Sequence, residues 1–336
     1  MKKKKVFIWG LINYNWSLDI NAANMARALD KEKYKVYSMV TTTLPYESIP
    51  GVTYFKRRYP DKIWKFICLL RACLICKTAL IYRMGEFRVY WWLFKLFRLK
   101  TISVLGLTSS IFNREYPRVT SLHALSEVMR EECKELGIPI KEKVLINPIR
   151  TEPFHQIRKV RTGVLKDIIF IGHDFERKGI DDVIFVAQNT EQLHFHVVGG
   201  YMDHQINLKK KLKQGGLTDS FTLYGSLEQP KLLEVVDKCQ LHILPSRKEG
   251  RPKVAIEAAA AGLPSILYEG YGAEEYIENG QNGFVVKTRE QLLEKVRLLQ
   301  YEEGLLKEMS EKTERLYKKF DLREIVKDYE QLIDSL

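Results

Sequence analysis

The chain is 336 residues long, 45% hydrophobic and 29% charged. That suits two soluble globular domains and excludes a disordered, repetitive or low-complexity protein. Its net charge of +12 is uneven: residues 1–150 carry 27 Lys+Arg against 12 Asp+Glu, and residues 151–336 carry 27 against 30. Such asymmetry turns the first half toward something anionic (membrane lipid, nucleic acid or an acidic substrate) or is merely a soluble basic surface.

The N-terminus opens on four lysines and then "VFIWGLI". Asn13 and Asn15 follow in place of a small-residue cleavage site, so a first buried strand over 5–12 is expected here rather than a leader. Further strands are expected near 35–41, 78–83, 101–105, 119–124 and 143–146. Helices are expected near 20–30, 62–76, 87–99 and 126–136. Short apolar runs alternating with longer periodic segments are the pattern of α/β folds with parallel sheets. Lys65, Arg71 and Lys77 interrupt the most apolar segment, so no transmembrane helix is expected.

Three of five cysteines, Cys68, Cys73 and Cys76, fall in that segment. An odd total fits buried thiols in a reducing cytoplasm. The Cys73-x-x-Cys76 pair has no second pair to complete a metal site. Over 87–99, Arg88, Trp91, Trp92, Lys95 and Arg98 share about a third of the helix circumference at 100° per residue. Basic residues with tryptophan suit the headgroup layer of a membrane, or both apolar segments pack on a sheet with cations at the rim. No recognition helix, aromatic RNA-binding pattern or zinc module points to nucleic acid.

"NPIRTEPFHQIRKVRTG" has two prolines and no apolar period, and reads as an interdomain linker. Strands then recur near 168–172, 194–198, 221–224, 241–245 and 264–268. Helices are expected near 179–188, 203–214, 229–236, 253–261 and 290–299, with a helical tail over 304–336. The reading is two doubly wound parallel sheets in tandem, with ligand at the carboxyl ends of strands in a cleft between domains.

"SRKEGRPKVAIEAAAAGLP" joins two of these strands. Pro252 near the first turn and Gly262 and Pro264 beyond the last delimit a helix. The preceding loop sits at a strand's carboxyl end and feeds a helix N-terminus, where free amides suit a phosphate. Within the helix, Glu257 lies among Val254, Ile256 and alanines. It either pairs with Lys253 one turn back or accepts the two hydroxyl protons of a vicinal diol such as a ribose. His123 reads as a satisfied core histidine.

Glu249-x7-Glu257, followed by "AAAAGLPSI" and "EYIENGQNGFVV", resembles the donor-site signature of the retaining glycosyltransferases of family 4. Upstream, "FIGHDFERKGIDDVI", "HFHVVGG" and "FTLYGSLEQPKLLEVVDKCQLHILPSRKEG" follow that family's order. The likeness is close over about 165–290 and a matter of layout before it.

It implies a GT-B fold, two tandem Rossmann-like domains facing each other across a cleft. Residues 1–160 would form an acceptor domain, basic and able to associate with a membrane. Residues 161–315 would form the donor domain, and 316–336 a helix crossing back to the first. Glu249 would lie beside the transferred sugar, with Arg177 and Lys178 on the diphosphate. Glu257 would bind the ribose. Gly172 and His173 belong to the first donor motif, where His173 stands in place of a frequent arginine. The amides of Gly250, Arg251, Lys253 and Val254 would contact sugar hydroxyls and phosphate.

The donor would be a UDP-sugar or GDP-sugar, used without cofactor or metal. The acceptor would be lipid-linked or a glycan, as in capsule, exopolysaccharide or lipopolysaccharide assembly. The enzyme would be cytoplasmic and peripheral on the inner face of the membrane. Two other functions fit the layout: a non-catalytic nucleotide-sugar-binding subunit and a nucleotide-sugar 2-epimerase.

Overall fold

The computed structural model describes residues 3–11, 17–40, 48–56, 61–82, 84–106 and 118–336. The chain divides into two units: Met1–Ile149 with Leu322–Leu336, and Arg150–Asp321. The sequence reading set these divisions at 160/161 and 315/316. The stretch after Arg150 belongs to the second unit because its arginines are anchored there. Arg158 donates to the carbonyls of Ala259 (2.8 Å) and Ser310 (3.3 Å). The buried Arg161 donates to those of Asp237 (2.6 Å) and Ala261 (2.7 Å). The expected linker also holds a short helix, Glu152–Gln156.

The first unit runs β1 (Lys4–Leu11), α1 (Ser17–Ala28), β2 (Tyr34–Val40), β3 (Val52–Lys56), α2 (Asp61–Ile75), β4 (Thr78–Ile81), α3 (Met84–Leu96), β5 (Lys100–Val104), β6 (Ser121–His123) and α4 (Glu127–Glu135). Its strands pair in parallel in the order β3-β2-β1-β4-β5-β6. Sheets of this kind are covered on both faces, so their strands are continuously apolar. Val6, Phe7, Ile8 and Trp9 are all buried. Phe7 and Trp9 share a core with α2 through Trp64, Cys68 and Leu69, with α3 through Phe87 and Phe94, and with α4 through Met129 and Cys133. Gly10 is required here: a Cβ at this position would lie 2.3 Å from that of Ala22 on α1.

The second unit runs α5 (Glu152–Gln156), β7 (Asp167–Ile171), α6 (Ile180–Gln188), β8 (His194–Val198), α7 (Met202–Gln214), β9 (Phe221–Gly225), α8 (Gln229–Lys238), β10 (Leu241–Leu244), α9 (Lys253–Ala260), β11 (Ser265–Tyr268), β12 (Gly283–Val286), α10 (Arg289–Tyr301) and α11 (Leu305–Lys319). Its sheet has the order β12-β11-β10-β7-β8-β9, again all parallel. Counted from the first strand of each unit, both sheets read 3-2-1-4-5-6, the doubly wound Rossmann order.

The last helix, α12 (Leu322–Ser335), belongs to the first unit. Tyr329 donates to the Ile146 carbonyl at 3.1 Å, Glu330 accepts from the Asp30 amide at 2.9 Å, and Asp334 pairs with Lys4 at 2.8 Å.

Four local expectations are corrected. Residues 143–146 form no strand: past β6, only the Lys141 and Leu145 amides reach the neighbouring backbone, at Leu122 and Ala124. β3 and β12 were missed, being short runs set between turn residues. The helical tail is broken at Phe320 and Asp321 into α11 and α12. Finally, α3 ends at Leu96, and Arg98 lies beyond it with a left-handed φ of 53°. His123 is a core histidine, bonded to Ser121 Oγ (2.8 Å) and the Lys143 carbonyl (2.6 Å), and burial lowers its pKa. All five cysteines are free and buried, and burial pushes the Cys73 and Cys76 thiols up to about 12.

Candidate functional site

In a doubly wound sheet the crevice opens where strand order reverses, at the carboxyl ends of the two central strands. In the second unit these are β7 and β10. The segments leaving them are 172–179 and 245–252, so both sequence motifs converge on the switch point. In the first unit the loop after β1 holds Asn13 and Asn15, which lie outside the described residues. Asn21 and Asn24 are buried on α1, and Asn24 donates to the Pro148 carbonyl at 3.2 Å.

Gly179 locks the two loops together. It precedes α6 with φ 79°, and a Cβ on it would fall 2.1 Å from the Pro245 carbonyl oxygen. Only glycine combines that conformation with so close an approach. The Arg177 carbonyl then accepts from the Arg247 amide at 3.0 Å and from Ser246 Oγ at 3.2 Å.

Three donors meet on one carboxylate oxygen. Glu249 Oε1 is 2.5 Å from Lys178 Nζ, 3.0 Å from Arg177 Nη1 and 2.8 Å from Ser246 Oγ. Arg177 also donates to the Lys248 carbonyl (2.5 Å) and, through Nε, to Asp174 (3.3 Å). The Glu249 and Lys178 side chains are about nine-tenths buried, and that of Arg177 is one-third exposed. Two cations held by so few anions at a strand-end crevice suit a polyanion such as a diphosphate.

Glu257 lies on α9, eight residues after Glu249 in sequence. Its residue is half-buried and burial raises its carboxyl pKa, with the Lys253 ammonium one turn back partly opposing the rise. Burial in turn lowers the Lys253 pKa. Val254 is half-buried, Gly250 is buried, and Pro252 precedes the helix.

The Arg251 side chain is committed elsewhere. It is 5% exposed, pairs with Glu275 at 2.7 Å, and lies over the rings of Tyr276 (5.1 Å) and Phe320 (5.2 Å). Gly172 lies beneath Lys178, whose Cγ would be 3.0 Å from a Cβ there. His173 is exposed, and its ring stands 5.9 Å from that of Tyr201, outside the ion cluster. The structure therefore joins Arg177, Lys178 and Glu249 directly, while His173 and the Arg251 side chain face other partners.

Sequence reasoning missed Ser246, Asp174 and the Arg251 clamp. It also missed Tyr271 and Tyr276, whose buried hydroxyls have no hydrogen-bond partner among the described residues and are raised in pKa, mainly by burial and in part by Glu249. Both tyrosines sit in "GYGAEEY", whose glycines signal a turn but not which ring turns inward. His242, on β10, is fully buried and held down to about 3 by burial and then by the Lys178 charge. Among the described residues, no group of three His, Cys, Asp or Glu side chains is placed to hold a metal ion.

Residues 156–316 match the family model of the glycosyl transferases group 1. The chain is 26% identical over 196 residues to an uncharacterized glycosyltransferase of Haemophilus influenzae, covering 56% of this chain and 54% of that protein. It is 26% identical over 231 residues to the alpha-galactosylglucosyldiacylglycerol synthase of Streptococcus pneumoniae, covering 61% and 58%. The matched stretches thus span about half the length of these curated relatives. Among solved structures, Anabaena HepE in complex with UDP-glucose superposes with a TM-score of 0.80 at 14% identity, over 99% of this chain and 100% of that one. The two Rossmann-like sheets are those of the GT-B fold, and the segment that holds the ion cluster and Glu257 is the one that matches the glycosyl transferases group 1.

Proposed function

We propose that the protein is a retaining glycosyltransferase of family 4 that moves a sugar from a UDP-sugar or GDP-sugar to a lipid-linked or glycan acceptor. The observation that carries this reading is the convergence of Arg177 and Lys178 on Glu249 at the switch point of the second sheet. Transfer breaks the bond from the anomeric carbon to the phosphate oxygen, and the electron pair leaves on the diphosphate. Cations already fixed there stabilise that charge as it forms. They supply the countercharge that a divalent metal supplies elsewhere, so the reaction proceeds without one.

Glu257 accepts the ribose hydroxyls, and Glu249 exchanges its cations for the sugar as the diphosphate takes them over. The acceptor oxygen attacks the anomeric carbon on the face the diphosphate leaves, and its proton passes to the departing phosphate oxygen. A lipid-linked acceptor in polysaccharide or glycolipid assembly is supported by the similarity to a diacylglycerol-glycoside synthase.

The test is incubation with UDP-glucose, UDP-N-acetylglucosamine and GDP-mannose, with EDTA present, reading nucleotide release and the anomeric configuration of the product by NMR. Release of one nucleotide with retained configuration supports the reading. An inverted product overturns retention. An epimerised donor, or binding without turnover, replaces the transferase with an epimerase or a nucleotide-sugar-binding subunit.

A further inference from the structure

The first unit carries a surface that the donor site does not use. α2 and α3 lie on the same face of the first sheet, since Trp64 and Leu69 of one and Phe87 and Phe94 of the other enter a single core with Phe7 and Trp9. Their outward sides therefore belong to one surface of this unit. On it, Ile63, Phe66 and Leu74 of α2 and Val89, Trp92 and Leu96 of α3 are exposed, Leu74 at 65%, Leu96 at 68% and Trp92 at 47%.

The geometry of each helix is amphipathic in an unusual order: the buried side is apolar and so is the middle of the exposed side. At 100° per residue, Ile63, Phe66 and Leu74 fall between Lys62 on one edge and Arg71 on the other. On α3, Arg88 and Lys95 lie along one edge of the arc that holds Trp92, Leu96 and Val89. This exposed arc is rotated from the face expected in sequence, because Trp91 is half-buried beneath Arg118 (4.7 Å). Residues 61–100 contain nine Lys+Arg against Asp61 and Glu86 alone.

An exposed apolar centre rimmed by cations is costly in water and suits one surface chemistry, a bilayer whose headgroups are anionic. The tryptophan and leucines enter the boundary between headgroups and acyl chains while the basic rim meets phosphates. A second copy of this chain would bring the same cations against themselves, so charge complementarity favours lipid. Among the described residues no helix is long and apolar enough to cross a membrane. We infer that the outward face of α2 and α3 docks this protein on an anionic lipid surface. The inference goes beyond the proposed transfer reaction, and its test involves no nucleotide.

The test is co-sedimentation of the full chain with vesicles of phosphatidylcholine alone or with 30% phosphatidylglycerol. Wild type is expected on the anionic vesicles and not on the neutral ones. Trp92→Ser with Leu96→Ser should weaken partitioning by at least about tenfold, from the loss of two inserted apolar side chains. Lys62→Gln, Arg88→Gln and Lys95→Gln should each cost roughly fivefold at low salt. All these side chains are exposed, so unchanged melting curves show that the fold is intact. The inference is overturned if wild type ignores anionic vesicles. It is equally overturned if both sets of variants bind as wild type does, or if wild type is a dimer that the serine variant dissociates with no vesicle binding.

Discussion

The Glu249 carboxylate and the Lys178 ammonium are 2.5 Å apart, and the same oxygen accepts from Arg177. Glu249 therefore occupies the cations that a diphosphate would need. Glu249→Gln removes one negative charge beside the bound phosphates and loosens the hold on both cations. The expected outcome is about three- to tenfold tighter binding of free nucleoside diphosphate, with transfer slowed because the sugar loses its carboxylate. Calorimetry and donor turnover on the same preparation check the two halves.

Arg177→Ala and Lys178→Ala act in the opposite direction. Each removes a fixed cation from the place where charge develops, so turnover should fall roughly 10²–10³-fold. Arg177→Lys should restore only part of it, because a lysine cannot reach Glu249, Asp174 and the Lys248 carbonyl together as the guanidinium does. Initial rates at saturating donor measure this.

For Glu257, binding and stability should separate. Its pKa is raised by burial, and Lys253 offsets that only in part. An acid raised on folding costs stability wherever it is ionised. The penalty is absent below the unfolded value near 4.5 and grows as pH rises through the folded one. Glu257→Gln should therefore melt higher than wild type at pH 7, with the difference shrinking toward pH 4. Nucleotide binding should fall at least about tenfold at pH 7, since the amide cannot accept both ribose protons as a carboxylate does. Scanning calorimetry over this pH range reads the first effect.

Much of this was legible in sequence. "FIGHDFERKG" and "SRKEGRP" each end a buried strand at a glycine-containing basic loop, and that fixed their place at strand carboxyl ends. That Arg177 and Lys178 close on the Glu249 carboxylate was not legible, since the motifs assigned the cations and the carboxylate to different parts of a donor. Side-chain partners were not legible, because they depend on which long residues fold back. Arg251 and Arg177 look alike in sequence, yet one points into the cluster and the other stacks between Tyr276 and Phe320. The exposed arc of α3 was misread by about 60° because Arg118, far along the chain, covers Trp91. Helical spacing gives the arc's width but not which residue a distant cation will shield.

Arg251 is expected to support the loop through its side chain. Arg251→Ala removes a buried guanidinium from its ion pair with Glu275 and opens space between two rings. The cost should be about 3 kcal/mol of folding stability, measured by chemical denaturation. Arg251→Lys should recover little of it, since an ammonium cannot stack as a planar guanidinium does.

His242 shapes the acid limb of stability. Its pKa falls from 6.5 to about 3 on folding, through burial first and the Lys178 charge second. A base lowered on folding contributes stability above its unfolded value, and this is lost as pH falls from 6.5 toward 3. His242→Gln should make stability less steep over that interval by up to one proton, as read from denaturant unfolding at a series of pH values.

The central claim is that the second sheet's switch point is a nucleoside diphosphate site built from Arg177, Lys178 and Glu257. The most direct measurement is calorimetric titration of UDP, GDP and ADP, with EDTA present, into wild type, Lys178→Ala and Glu257→Ala. The account predicts saturable binding of one nucleotide to wild type, weakened at least about tenfold in each variant. Binding of none of the three, or equal binding to all three proteins, would contradict it.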